Sequence, residues 1–208
     1  MNINRINQND PFYPSALKKY LGDSFPVTLT ATGNLDILKN KTFAVFSSVK
    51  CPGSIIIKTY DLMRKLRESN ITVISGFHSP IEKECLNILL KGKHPVIFCP
   101  ARSIDTMRIE LEFRKPLEEG RLLILSPFSG RERRISSEKA QRRNYFVAAL
   151  ATDVFIPYAA PGSKTETFCR ELLKWGKRVY TTDDEKNMSL IETGIKTISP
   201  EIFDKWYE

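Results

Sequence analysis

At 208 residues, 41% hydrophobic and 27% charged, the chain has the length and balance of one globular domain, which excludes a disordered or fibrous protein. Its 32 Lys and Arg against 24 Asp and Glu leave a net charge of +8, a surface that favours polyanions. No apolar run approaches the roughly 18 residues of a membrane helix. The polar, Asn-rich start from Met1 to Pro11 lacks the apolar core of a secretion signal, so a cytoplasmic protein is expected.

Turn signals punctuate the first forty residues: Tyr13-Pro14, Gly22-Asp23, Phe25-Pro26 and Gly33-Asn34. Residues 1–40 are therefore expected to form an N-terminal extension packing on a core at 41–208. From Lys41 onward, short β-branched apolar runs alternate with stretches of helical period. Strands are expected at Thr42–Ser47, Thr72–Ser75, Val96–Cys99, Leu122–Leu125, Val154–Ile156 and Arg178–Thr181, with helices at about 54–69, 79–91, 105–119, 136–150 and 163–175. Strands apolar throughout suit burial on both faces. Their alternation with helices predicts a Rossmann-like, doubly wound, mostly parallel α/β sheet with helices on both faces.

In such a sheet, ligands lie beyond the carboxyl ends of the strands, where free amides at helix N-termini attract phosphate. The first strand leads to Ser47, Ser48, Lys50 and Gly53. The second leads to Ser75 and Gly76, then to Ser79-Pro80-Ile81-Glu82, a capping box with proline at the first helical position. His78 and Phe77 border this turn, and Phe77 or Tyr145 could stack on bases. The fifth strand leads to Gly162, Ser163, Lys164 and Thr165, the sharpest local signal. Glu166 there reads as a first-turn acid complementing the helix dipole, in preference to a general base. Neither a P-loop nor GxGxxG is present, so no dinucleotide cofactor is expected.

Arg131-Glu132-Arg133-Arg134, Lys139, Arg142 and Arg143 form an arginine-rich stretch that reads, by itself, as a solvated loop and helix face. Within it, Arg143 is of the type that forks a phosphate, and Asn144 could hold a loop or a base edge. The four cysteines, Cys51, Cys85, Cys99 and Cys169, form no CxxC pair, and only two histidines accompany them. Neither a metal site nor a disulfide is expected. No catalytic triad or carboxylate pair emerges, and nothing demands an enzyme.

Taken in order, these segments resemble the DprA/Smf family of DNA-processing proteins. Tyr13-Pro14-Ser15-Ala16-Leu17, Phe25-Pro26 and Gly33-Asn34 are similar to the family's YP…L, pP and GN opening. Phe43–Ser48, Ser75-Gly76, Val96–Cys99 and Gly120–Phe128 follow, the last like G-x-x-x-S-E-x-P. Arg143-Asn144 with Val147-Ala148-Ala149-Leu150 looks like the family's RN helix. Pro161–Glu166 and Gly176-Lys177-Arg178-Val179-Tyr180 match its SGS…T…GK-x-V-Y region. The likeness spans about residues 12–182.

The resemblance implies an extended Rossmann fold that binds single-stranded DNA in DNA processing, uptake or recombination, loads a RecA-type recombinase, and forms homodimers. Departures are visible: Val49 or Lys50 stands near the position of the family's G-S-R arginine, and the SG-x-A-x-GID loop becomes Ser75–Glu82. The sequence shows no room for a C-terminal winged helix. On this reading, Ser47, Ser48, Lys50, Ser75, Gly76, Arg142, Arg143, Asn144, Gly162, Ser163, Lys164 and Thr165 carry phosphate binding at one rim of the sheet. The alternative within the wider superfamily is a nucleotide sensor or LOG-like nucleoside-phosphate hydrolase using Thr165 and Glu166, although the hydrolase element's second glycine pair is missing. A protein-interaction module is the third option.

Overall fold

The computed structural model describes residues 2–200, which divide into two compact units. One takes in the chain up to Thr42, Ile71–Gly76 and Pro95–Ala151; the other takes in Phe43–Asn70, Phe77–His94 and the chain from Thr152 on. Both belong to a Rossmann-like, mostly parallel α/β fold, with nine strands and seven α-helices among the described residues.

In the first unit the strands are β1 (Asn4–Asn7), β2 (Thr28–Gly33), β4 (Thr72–Ser75), β5 (Val96–Phe98) and β6 (Leu122–Ser126), in the order β1-β2-β6-β5-β4. The pairs β4–β5 and β5–β6 are parallel, whereas β1 and β2 add on antiparallel. Every residue of β6 and β4 is buried, which is why both read as unbroken apolar runs. Three helices complete the unit: α1 (Ala16–Leu21), which packs on α5 (Ser137–Leu150), and α4 (Leu111–Glu118) between β5 and β6.

The second unit holds β3 (Thr42–Val45), β7 (Asp153–Phe155), β8 (Arg178–Thr182) and β9 (Lys196–Ile198), paired in that order and all parallel. Its longer helices are α2 (Gly53–Glu68), α3 (Pro80–Leu90) and α6 (Lys164–Lys174); α7 (Met188–Ile191) is a single turn. Ile55, Thr59, Leu62, Met63 and Leu66 line one buried stripe of α2, at the spacing of a single helix face, and α2 packs on α3.

All six strands expected from the sequence are present, five within a residue of their bounds, while β3 ends at Val45 rather than Ser47. Three were not foreseen. In β2, Thr30 and Thr32 are polar yet buried beside Leu29 and Ala31, so the segment lacks an apolar signature. β1 offers a single buried residue, Ile6. β9 is three residues long. The helix expected over 105–119 starts only at Leu111. Upstream, Ser103 Oγ accepts the Asp105 amide and donates to Asp105 Oδ2, and Arg5 pairs with the same carboxylate. Side chains thus hold this backbone in competition with helix formation. Among the described residues, no helix is long and apolar enough to cross a membrane.

Candidate nucleic-acid interface

In the second unit, the loops after β3 and β7 are stitched together. Ser48 donates its amide to the Tyr158 carbonyl (3.1 Å), and its Oγ accepts the Ala160 amide (3.1 Å). Ser47 and Ser48 are both buried. The backbone amides in this region already have an anion. Glu82, 6% exposed, accepts the Ser47 amide on Oε1 (2.9 Å) and the His78 amide on Oε2 (2.8 Å), with the Ser79 amide at 3.4 Å. Ser79 Oγ in return accepts the Glu82 amide at 3.3 Å, completing the capping box. A carboxylate from α3 thus accepts the backbone amides of the Ser47 turn that the sequence assigns to phosphate.

The N-terminus of α6 is filled in the same way. Gly162, at φ 71°, turns its amide onto Glu166 Oε2 (2.7 Å), Ser163 Oγ accepts the Glu166 amide, and Arg170 pairs with Oε1 at 3.0 Å. The Gly162 amide, and then Arg170, hold the Glu166 carboxyl below the usual carboxylate range. Glu166 is thus the first-turn acid that the sequence favours over a base. Lys50 and Lys164 are exposed, and Thr165 is half-buried.

A carboxylate with a lowered folded-state pKa contributes stability above its unfolded value, about 4.3, and that stability is lost as pH falls through the folded value. Glu166→Gln is accordingly expected to flatten the loss of stability between about pH 5 and pH 3, read as the urea midpoint at each pH.

In the first unit, Arg143 departs from expectation. It is 3% exposed; its Nη1 donates to the Cys99 carbonyl (3.0 Å) and its Nε to Asn144 Oδ1 (2.8 Å). The guanidinium lies so close over Gly76 that a Cβ there would stand 1.2 Å from Nη1, which explains why position 76 is glycine. Cys99 in turn donates its amide to the Ser75 carbonyl (2.8 Å), and Ser75 is fully buried. Ser75, Gly76, Arg143 and Asn144 do come together, as a buried clasp rather than an open fork. Burial pushes the Cys99 thiol up to about 12, against the opposing pull of Arg143.

Phe77, at φ 44° and 4% exposed in the second unit, is buried and cannot stack on a base from solution. Its left-handed backbone is costly for a bulky residue, and the packed ring holds it there. Tyr145 is half-buried.

The arginine-rich stretch of the first unit faces outward. Between β6 and α5, Glu132 is turned inward. Its carboxylate accepts the Ser129 amide (3.0 Å) and Arg142 Nη1 (2.9 Å), its own amide donates to the Ser129 carbonyl, and its carbonyl accepts the Ser103 amide. Partial burial would raise the Glu132 carboxyl, but the Ser129 amide and Arg142 outweigh it and hold the carboxyl low. Arg142 also lies 5.2 Å over the Phe128 ring. Arg133 Nε is tied to the Gly130 carbonyl, Lys139 Nζ to the Arg134 carbonyl, and Ser136 caps α5 through the Lys139 amide. With the loop fixed internally, Arg131, Arg133 and Arg134 are all exposed. Guanidinium groups carried on a loop held in this way can meet phosphates of a strand without ordering the loop first.

Known proteins agree with this architecture. The chain is similar in fold to DNA processing protein A (DprA) from Streptococcus pneumoniae, at a TM-score of 0.81 and 20% identity, covering 100% of this chain and 75% of that one. It is similar to DNA processing protein A from Helicobacter pylori, described for its single-stranded DNA binding mode, at 0.80 and 18%, covering 99% and 95%. A molybdenum cofactor binding protein from Rippkaea orientalis shares the fold more loosely, at 0.56 and 14%, covering 80% and 94%. No curated protein matches in sequence. The model of the family described as DNA recombination-mediator protein A matches residues 4–201. With nearly its whole length matched, the chain belongs to the DNA recombination-mediator protein A family.

Proposed function

We propose that the chain binds single-stranded DNA as a recombination mediator, gripping phosphates with the outward arginines of the 129–136 loop. The carrying observation is that loop's construction. Glu132, Ser129 and Arg142 satisfy its interior, and Arg131, Arg133 and Arg134 are presented to solvent. Phosphate contacts of this kind are independent of base sequence and strongly salt-dependent. Considered by itself, the second unit offers Lys50, Lys164 and Thr165 as polar candidates for phosphate contacts. Ser47, Ser48, Gly162 and Ser163 shape their loops there, as Ser75, Gly76 and Asn144 do in the first unit. Membership of the family and the single-stranded DNA binding described for the Helicobacter pylori protein support this reading.

Loading of a RecA-type recombinase, a role in DNA uptake or recombination, homodimers and residence in the cytoplasm belong to the same proposal. So does treating residues 1–40 as an extension of a Rossmann-like domain at 41–208, without catalytic residues. The LOG-like alternative is not favoured. Glu82 and Glu166 occupy the amides at the strand ends, and a nucleotide phosphate entering there would meet a carboxylate.

Fluorescence anisotropy with labelled oligo-dT, run beside thermal shift with AMP, tests the assignment. Binding of the oligonucleotide at low salt is expected, with no rise in melting temperature from AMP. Stabilisation by AMP with no oligonucleotide binding would reverse the assignment.

A further inference from the structure

The arginine that the sequence marks for phosphate binding, Arg143, is buried, while its neighbour Arg142 is exposed on the same helix. Successive residues of an α-helix point about 100° apart, which lets two adjacent arginines differ this sharply in burial. Arg143 precedes the buried Phe146 and Val147 by three and four residues and shares their face. Its guanidinium reaches the carbonyl of Cys99, just past β5, and covers Gly76, just past β4, while Cys99 and Ser75 are bonded to each other. One side chain thus ties two strand ends to α5. Arg142, held to Glu132 on the loop, rides on the helix so fixed.

We propose that Arg143 is a positioning residue for strand binding: it sets the placement of α5 on the ends of β4 and β5, and through Arg142 and Glu132 it aims the 129–136 loop. It makes no phosphate contact of its own. Gly76 is the other half of the device, because only a glycine leaves room for the guanidinium. The inference rests on the single-stranded DNA reading and deepens it.

The test is the salt dependence of oligo-dT binding by the whole chain, measured well below each variant's melting temperature. A residue that touches a phosphate of single-stranded DNA contributes about 0.7 to the slope of log K against log salt concentration. Arg143→Met is expected to weaken binding roughly tenfold with the wild-type slope kept, because the cations remain but are misaimed. Arg142→Ala serves as the comparison, with a slope shallower by about 0.7 if Arg142 meets a phosphate. Gly76→Ala disturbs the same clasp from the other side and should reproduce the Arg143→Met signature, which covers the case in which Arg143→Met does not fold.

A shallower slope for Arg143→Met would show direct contact and overturn the proposal. So would a folded variant, of either kind, that binds as the wild type at every salt concentration, which is the mark of a purely structural role. Failure of the wild-type chain to bind oligo-dT at low salt removes the DNA-binding reading and the proposal with it. Wild-type binding with an unmoved variant removes the proposal alone.

Discussion

Replacing Arg131, Arg133 and Arg134 together by alanine is expected to weaken oligo-dT binding at about 50 mM salt by roughly a hundredfold or more. The same variant should show a salt slope shallower by about 2, three contacts at about 0.7 each. The reasoning is electrostatic: each guanidinium releases condensed counterions from the strand, and that release is worth most when salt is low. All three side chains are exposed, and the loop's internal bonds run through Glu132, Ser129 and Arg142, so the fold should survive. A melting temperature within about 2 °C of wild type is expected for surface changes of this kind. Anisotropy titrations at several salt concentrations provide the check. Unchanged affinity in the triple variant would move the binding surface elsewhere on the molecule.

Glu82→Ala should produce a large loss of stability for a single polar substitution. The change leaves the Ser47 and His78 amides, and the weaker Ser79 contact, without their acceptor, and it removes one half of the α3 capping box. An orphaned buried donor such as the Ser47 amide costs about 1–3 kcal/mol and a lost cap about 1 kcal/mol, so a loss of about 3 kcal/mol is expected, or roughly 10 °C in melting temperature for a chain this size. Thermal unfolding by circular dichroism measures it directly. Glu82→Gln keeps an acceptor and should cost less. Equal melting temperatures for wild type and Glu82→Ala would show that the carboxylate does not hold these loops.

The parallel strands were legible because burial on both faces leaves an unbroken apolar run, as in Leu122-Leu123-Ile124-Leu125. β2 was not, since its threonines are buried through pairing with β6 rather than through apolarity; Thr30 Oγ1 even donates to the Ser126 carbonyl. The capping box at Ser79 and Glu82 is a local pattern and could be read directly. The bond from Glu82 to the Ser47 amide spans 35 residues and leaves no local trace.

Arg143 is a different case. Its spacing from Phe146 and Val147 already placed it on the buried face of α5, and that signal outweighs the chemical suitability of arginine for phosphate. The charged stretch after β6 was readable as composition alone. What turns it into a candidate surface is the inward turn of Glu132 between exposed arginines, set by contacts with Ser129, Arg142 and Ser103.

Exposed guanidinium groups on a loop held by an inward glutamate, gripping a strand by its backbone charge alone, are the claim on which the functional account stands. Oligo-dT affinity of the unaltered chain, titrated from about 50 to 300 mM salt, tests it most directly. The account predicts a straight line in log K against log salt, with a slope of about −2 or steeper. A flat line, or tighter binding of a mononucleotide than of the oligonucleotide, would contradict it.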